Sequence, residues 1–164
     1  MSIERYSSGG HRGGSIAAGE AYAELLAGAG SPVSIKSITI TSASNAGPNV
    51  ALVRSFAIGT GAATGVFTGV SHRSIATQPT AIARLQIAWT SSGASPTGYG
   101  SKLSEEQLPL ATGSTKVLWD SKRDGPLVLE PMTSLLLVNG GSGFAGSGAD
   151  AALKINLTWE EGRL

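Results

Sequence analysis

From Pro32 onward the apolar side chains recur with a period of two, and this alternation decides most of what the chain can fold into. The clearest case is the closing LKINLTWEE, where Leu153, Ile155, Leu157 and Trp159 share one phase and Lys154, Asn156, Thr158 and Glu160 the other. An extended strand with one buried face separates residues in this way. AIARLQIAWT repeats the pattern, with Leu85, Ile87 and Trp89 on one side and Arg84 and Gln86 on the other. VSIKSITITS changes phase between Ile35 and Ile38, so a β-bulge is expected near Lys36 and Ser37. In VALVRSFAIG, Val50, Leu52, Phe56 and Ile58 fall on one face, interrupted by Arg54, with Ala51, Val53, Ser55 and Ala57 opposite.

VFTGV, KVLWD, LVLE and SLLLVN bring the total to about eight short strands, separated by the turn formers NAGPN, SSGASPTGYG, DGP and EPMT. The fold class is therefore all-β, an antiparallel β-sandwich. A jelly roll of about eight strands is the leading architecture, and an immunoglobulin-like sandwich, without its Cys pair here, is second. No repeat of about 20–50 residues is present, which argues against propellers and solenoids.

The first 31 residues differ in composition. They are rich in Gly, Ser and Ala, with Ile3, Tyr6, Ile16, Tyr22, Leu25 and Leu26 as the sizeable apolar side chains. This reads as an N-terminal extended arm over residues 1–31, followed by a β-sandwich domain over 32–164. Within the arm, AAGEAYAELLAG places Ala18, Tyr22, Leu25, Leu26 and Ala29 at helical spacing, with Gly28 as a stop, so one short amphipathic helix is expected. A helix this short needs a docking surface for its apolar face. Tyr6, Ile16, Tyr22, Leu25 and Leu26 are accordingly the expected partner-binding residues of the arm.

Charged residues make up 14% of the chain, 12 basic and 11 acidic, which leaves no electrostatic footprint for nucleic acid or an anionic membrane. Neither is an expected partner. A surface of neutral polar groups suits packing against other subunits. The first twenty residues lack the apolar stretch of a secretory signal, and no run of 18 apolar residues occurs, so synthesis without export is expected.

Reactive chemistry is sparse. With no Cys, disulfides, thiolate catalysis and Cys-based zinc sites are excluded. Gly141, Gly143 and Gly146 match GxGxxG, and Gly59, Gly61 and Gly65 come close, but neither run has room for the helix and parallel crossover that a dinucleotide site requires. His11 and His72 read as solvated loop residues. Glu160 and Glu161 point to opposite faces of a strand and cannot clamp one ligand. Asn156-Leu157-Thr158 matches a glycosylation acceptor but reads as a solvent-facing strand position. No catalytic, cofactor-binding or metal site is expected, and the chain is not read as an enzyme. Trp89, Trp119 and Trp159 each close a strand, where a ring can seal the sandwich and its N–H find a partner. The alternative is that Trp89, with Tyr99, forms a platform for a glycan.

In the order of its segments, the Gly/Ser-rich arm with AYAELLAG, then SPVSIKSITIT, LQIAWT, LPL, LWD, LVLEPMTSLLLVN and LKINLTWEE, the chain resembles small β-sandwich, jelly-roll virion structural proteins of tailed bacteriophages. The resemblance implies a capsid decoration or cement protein that is a homo-oligomer, typically a trimer. Its implied partners are the major capsid protein or other virion proteins, and its place is the capsid surface of the virion after synthesis in the host cytoplasm. The alternative kept open is a carbohydrate- or receptor-binding sandwich module of a phage fibre or tail.

Overall fold

In the computed structural model the chain forms two antiparallel sheets of six strands each, packed against one another. The residues described are 2–12, 21–43, 49–55, 63–72, 81–89, 102–109, 111–140 and 152–163. The strands are β1 (Ser2–Arg12), β2 (Ala21–Leu26), β3 (Val33–Ser42), β4 (Asn49–Ser55), β5 (Ala63–Thr68), β6 (Val70–Ser71), β7 (Arg84–Trp89), β8 (Lys102–Gln107), β9 (Thr115–Asp120), β10 (Leu127–Leu129), β11 (Ser134–Asn139) and β12 (Leu153–Arg163), with one helical turn, α1 (Ser121–Asp124).

One sheet, called here the β12 sheet, runs β10-β3-β12-β1-β6, with β9 on the same flank of β3 as β10. The other, the β11 sheet, runs β5-β7-β2-β11-β4-β8. Strands β1 to β4 alternate between the two sheets, and each pairs with strands from the later part of the chain: β1 and β3 with β12, β2 and β4 with β11.

Alternation places the core. Leu153, Ile155, Leu157 and Trp159 are all buried, as the period-two pattern requires, and they meet Leu25, Leu52, Leu85, Leu135 and Leu137 of the β11 sheet in one cluster. The phase change in β3 is resolved by a bulge: Thr158 pairs with Ser37 and Trp159 with Ile35, which leaves Lys36 unopposed. Val33, Ile35, Ile38 and Ile40 thereby all reach the core.

The central strands of the β11 sheet, β2, β11 and β4, are buried on both faces. Behind the core, Ala21, Ala51, Val53, Leu136 and Val138 form a second buried cluster, and every residue of β11 is buried. Strands with two buried faces read as continuous apolar runs rather than alternating ones, which is how SLLLVN and VALV look in the sequence.

The same physics corrects the reading of the first 31 residues. No helix forms over Ala21–Leu26; this segment is β2, paired with β11 on one side and β7 on the other. Tyr22, Leu25 and Leu26 fit a helical face by spacing, but in a strand buried on both sides every position can be apolar, and periodicity alone does not tell the two apart. Ala18 and Ile16 lie outside the described residues. Likewise residues 2–12 are not a free arm: β1 pairs over its full length with β12 and also with β6.

The flank of the β12 sheet carries a small device at α1. Asp120 accepts a hydrogen bond from Lys122 N, its own N–H donates to Asp124 Oδ2 at 2.8 Å, and Arg123 Nη2 donates to Val117 O at 3.3 Å. Backbone groups near the sheet edge are thus occupied by side chains, one of the ways in which proteins discourage edge-to-edge pairing.

Candidate interaction surface

The outward face of the β12 sheet is built by the residues that alternate with the core. Across β1, β12 and β3 the register aligns Ser7 with Thr158 and Ser37, and Gly9 with Asn156 and Thr39. These are small, neutral, hydrogen-bonding side chains on a pleated surface. Thr41 and Thr115 add a cross-strand hydroxyl contact of 2.9 Å. Gly9 is required here by space, since a Cβ at that position would stand 2.6 Å from Asn156 Oδ1 and 3.0 Å from Ile155 O.

Toward one end of this face Ile3 is 62% exposed and Val128 39% exposed. Between them Gly162 and Ser34 present almost no side chain, so a groove opens, lined also by Pro32 and Glu160. Its walls are largely apolar, and an ionic group sits beside it. Arg5 donates to Glu160 Oε1 from Nη2 at 2.7 Å and from Nε at 3.2 Å, while Lys36 Nζ lies 2.8 Å from Oε2. The bulge that leaves Lys36 unopposed in β3 frees this residue to reach across to β12. Burial pushes the Glu160 carboxyl up, but the hydrogen bonds and charges of Lys36 and Arg5 outweigh it and hold the group below its ordinary range. The three side chains together carry one net positive charge.

Continuing the alternation of β12 by one residue past Glu160 carries Glu161 into the interior, where it is fully buried. Its carboxylate accepts four hydrogen bonds: Oε1 from Trp159 Nε1 at 2.9 Å, from Ala83 N at 2.8 Å and from Ile82 N at 3.1 Å, and Oε2 from Ile82 N at 2.9 Å. These bonds tie β12 to the start of β7, so one side chain links the two sheets. Around the link the packing is close. Trp159 stacks on Tyr6 with ring centroids 6.0 Å apart, and a Cβ at Gly69 would stand 2.5 Å from the indole. Gly28 similarly lies against Ile82 with no room for a Cβ.

The residues singled out from the sequence fall as follows. Tyr6, Tyr22 and Leu25 are fully buried in the core and Leu26 is half-buried, so they serve the interior and not a free partner-binding arm; Ile16 lies outside the described residues. Burial pushes the Tyr22 phenol well above its ordinary value, against a smaller opposing effect of the Arg12 charge. Trp89 closes β7, but its side chain and all of Tyr99 lie outside the described residues, as do both glycine runs with the exception of Gly65. Trp159 seals the core as its position implies, although its N–H finds the Glu161 carboxylate instead of a loop carbonyl. His11 and His72 are exposed. Among the described residues no group of three or more His, Cys, Asp or Glu could hold a metal ion, and no helix is long and apolar enough to cross a membrane.

Sequence reasoning missed the groove and the Glu161 link. The groove depends on β1 lying beside β12, a pairing between segments with |i−j| of 155 at Arg5 and Glu160. The link had a signal, because strict period two already sends Glu161 inward beside Trp159.

The fold defines the chain as an antiparallel β-sandwich protein. No family model matches it, and no match was found among curated proteins or solved structures.

Proposed function

We propose that the chain is a non-enzymatic virion structural protein of a tailed bacteriophage, of the capsid decoration or cement kind, which packs on the shell and on neighbouring copies as a trimer. The observation that carries this reading is the outward face of the β12 sheet. It is a surface of Ser, Thr, Asn and Gly with a few charged side chains, interrupted by an exposed apolar groove, on a sandwich whose other sheet is buried on both sides at its central strands. Small neutral side chains cost less to desolvate than charged ones and let two surfaces approach closely, and exposed apolar patches rimmed by polar groups mark contact sites. The low charge of the whole chain supports the same reading.

Within this proposal the sandwich is a jelly roll. The orders β1-β12-β3 with β9 and β10, and β2-β11-β4-β8, are those of a rolled antiparallel ribbon, to which β5, β6 and β7 add strands at the opposite flank of each sheet. The test is binding to assembled shells. The purified protein is mixed with tailed-phage capsids lacking it and sedimented; saturable co-sedimentation, weakened by Ile3→Asp, is the expected result. No binding to shells from a host that carries the coding sequence, with the protein folded by thermal melt, would overturn the reading.

A further inference from the structure

We propose that the groove between Ile3 and Val128 receives Met132 of a second copy, so that copies of this chain associate head to tail. The proposal rests on the reading of the β12 sheet as a contact surface and names the partner of its groove. Two features of the chain point to the occupant.

The first is the way Met132 is presented. It stands in the turn between β10 and β11, with φ of 62° and 53% of its surface exposed. Turns with Pro in the second position and positive φ in the third favour Gly or Asn in the third, and here Glu130-Pro131-Met132-Thr133 carries a long apolar side chain instead. The turn is held firmly. Thr133 N and Oγ1 donate to Glu130 O at 3.1 and 2.7 Å, and the backbone of Met132 and Thr133 exchanges hydrogen bonds with Ala27 at the end of β2. An apolar side chain kept exposed, in a conformation that costs free energy, on a pinned turn, is a presented knob. Met is well suited to the task, since its flexible thioether fits irregular apolar surfaces.

The second feature is complementarity of charge. Glu130, exposed and two residues before Met132, would arrive at the groove together with it. Glu160 lines the groove, and Arg5 and Lys36, both bonded to it, stand beside the groove and leave the group one net positive charge, with Arg5 half exposed. Met132 does not line the groove of its own copy. Knob and groove are different residues of one chain, and such a contact repeated head to tail generates rings when the rotation closes.

The chain has no Cys, so disulfide trapping has no background. Met132→Cys and Val128→Cys are made separately, mixed and oxidised. The expected result is a cross-linked dimer in the mixture and little in either variant alone, and a closed covalent oligomer from the double variant. Met132→Gly, which suits the positive φ, is expected to melt no lower than the parent and to raise the dissociation constant for self-association at least about tenfold. Wild-type association by Met132→Gly, cross-linking of each single variant with itself but not in the mixture, or a monomer at all concentrations would each overturn the proposal. A monomer that still binds shells would sink this inference together with the trimer and leave attachment to the shell standing; a ring that binds no shell would do the reverse.

Discussion

Behind the core, the β12 sheet turns outward Ser7, Gly9, Thr39, Asn156 and Thr158, whereas the β11 sheet turns Ala21, Ala51, Val53, Leu136 and Val138 into a second buried cluster. The two sheets share one interior and are both antiparallel, yet the back of one is a surface and the back of the other is enclosed at its central strands. The difference teaches where tolerance lies. Substitutions on the outward face of the β12 sheet should spare the fold, and the corresponding substitutions on the central strands of the β11 sheet should not.

The largest expected effect comes from removing residues 1–30. This deletes β1 from the interior of one sheet and β2 from the interior of the other, exposing the core on both sides. The truncated chain should lose its cooperative thermal transition; a retained sharp melt would mean that the remaining strands close without them. Next, Leu136→Asp and Leu157→Asp should both unfold the domain although one lies behind the core and the other within it. Each removes about 1.5–3 kcal/mol of apolar burial and adds a desolvation cost of several more, against a total stability of about 5–15 kcal/mol. Thr158→Asp, on the outward face, should cost no more than about 1 kcal/mol. Equal damage from Thr158→Asp and Leu136→Asp in chemical denaturation would break the comparison.

The link between the sheets gives a smaller effect. Glu161→Ala leaves the N–H groups of Ile82, Ala83 and Trp159 buried without their acceptor, and a loss of about 3–5 kcal/mol is expected in urea titration. A loss below about 1 kcal/mol would show that the sheets hold together without it.

The smallest effect is that of Glu160. Because its folded-state pKa is depressed, the ionised group stabilises the fold above its unfolded-state value, about 4.3, and this contribution disappears as the pH falls through the folded-state value. Glu160→Gln should therefore lower stability slightly at neutral pH, by less than about 1 kcal/mol for a group near the surface, and match the parent in strong acid. Melts of the two proteins that stay apart at low pH would assign the difference to something other than charge.

How much of this was legible depends on whether a strand keeps a polar outward face. In β12 and β7 the outward face is polar, so alternation marked Leu153 to Trp159 and Leu85 to Ile87 correctly, and the phase change in β3 located the bulge at Lys36. In β2 both faces are buried, and AYAELL offers no polar phase to distinguish strand from helix. β8, KLSEEQ, carries a single partly buried apolar residue, Leu103, and β1 has a core-side phase of Glu4, Tyr6, Ser8, Gly10 and Arg12, of which Tyr6 alone is apolar. Such strands are fixed by their ladder partners, and nothing local announces them. The candidate surface was legible only as a composition, because its groove needs four strands, β1, β3, β10 and β12, that are far apart in sequence.

The pairing of β1 with β12 sets an order of events. As the chain leaves the ribosome, β1 emerges first and has no partner on its long flank until β12 follows, so the β12 sheet closes last and folding is slow in the way that distant strand pairings impose. A strand that must wait in water is safest when it is poor in apolar residues, and Ser7, Ser8, Gly9 and Gly10 meet that condition. Pulse-labelled hydrogen exchange during refolding should find the amides of β1 among the last to gain protection, after those of β4 and β11; early protection of β1 would mean that β6 alone can hold it.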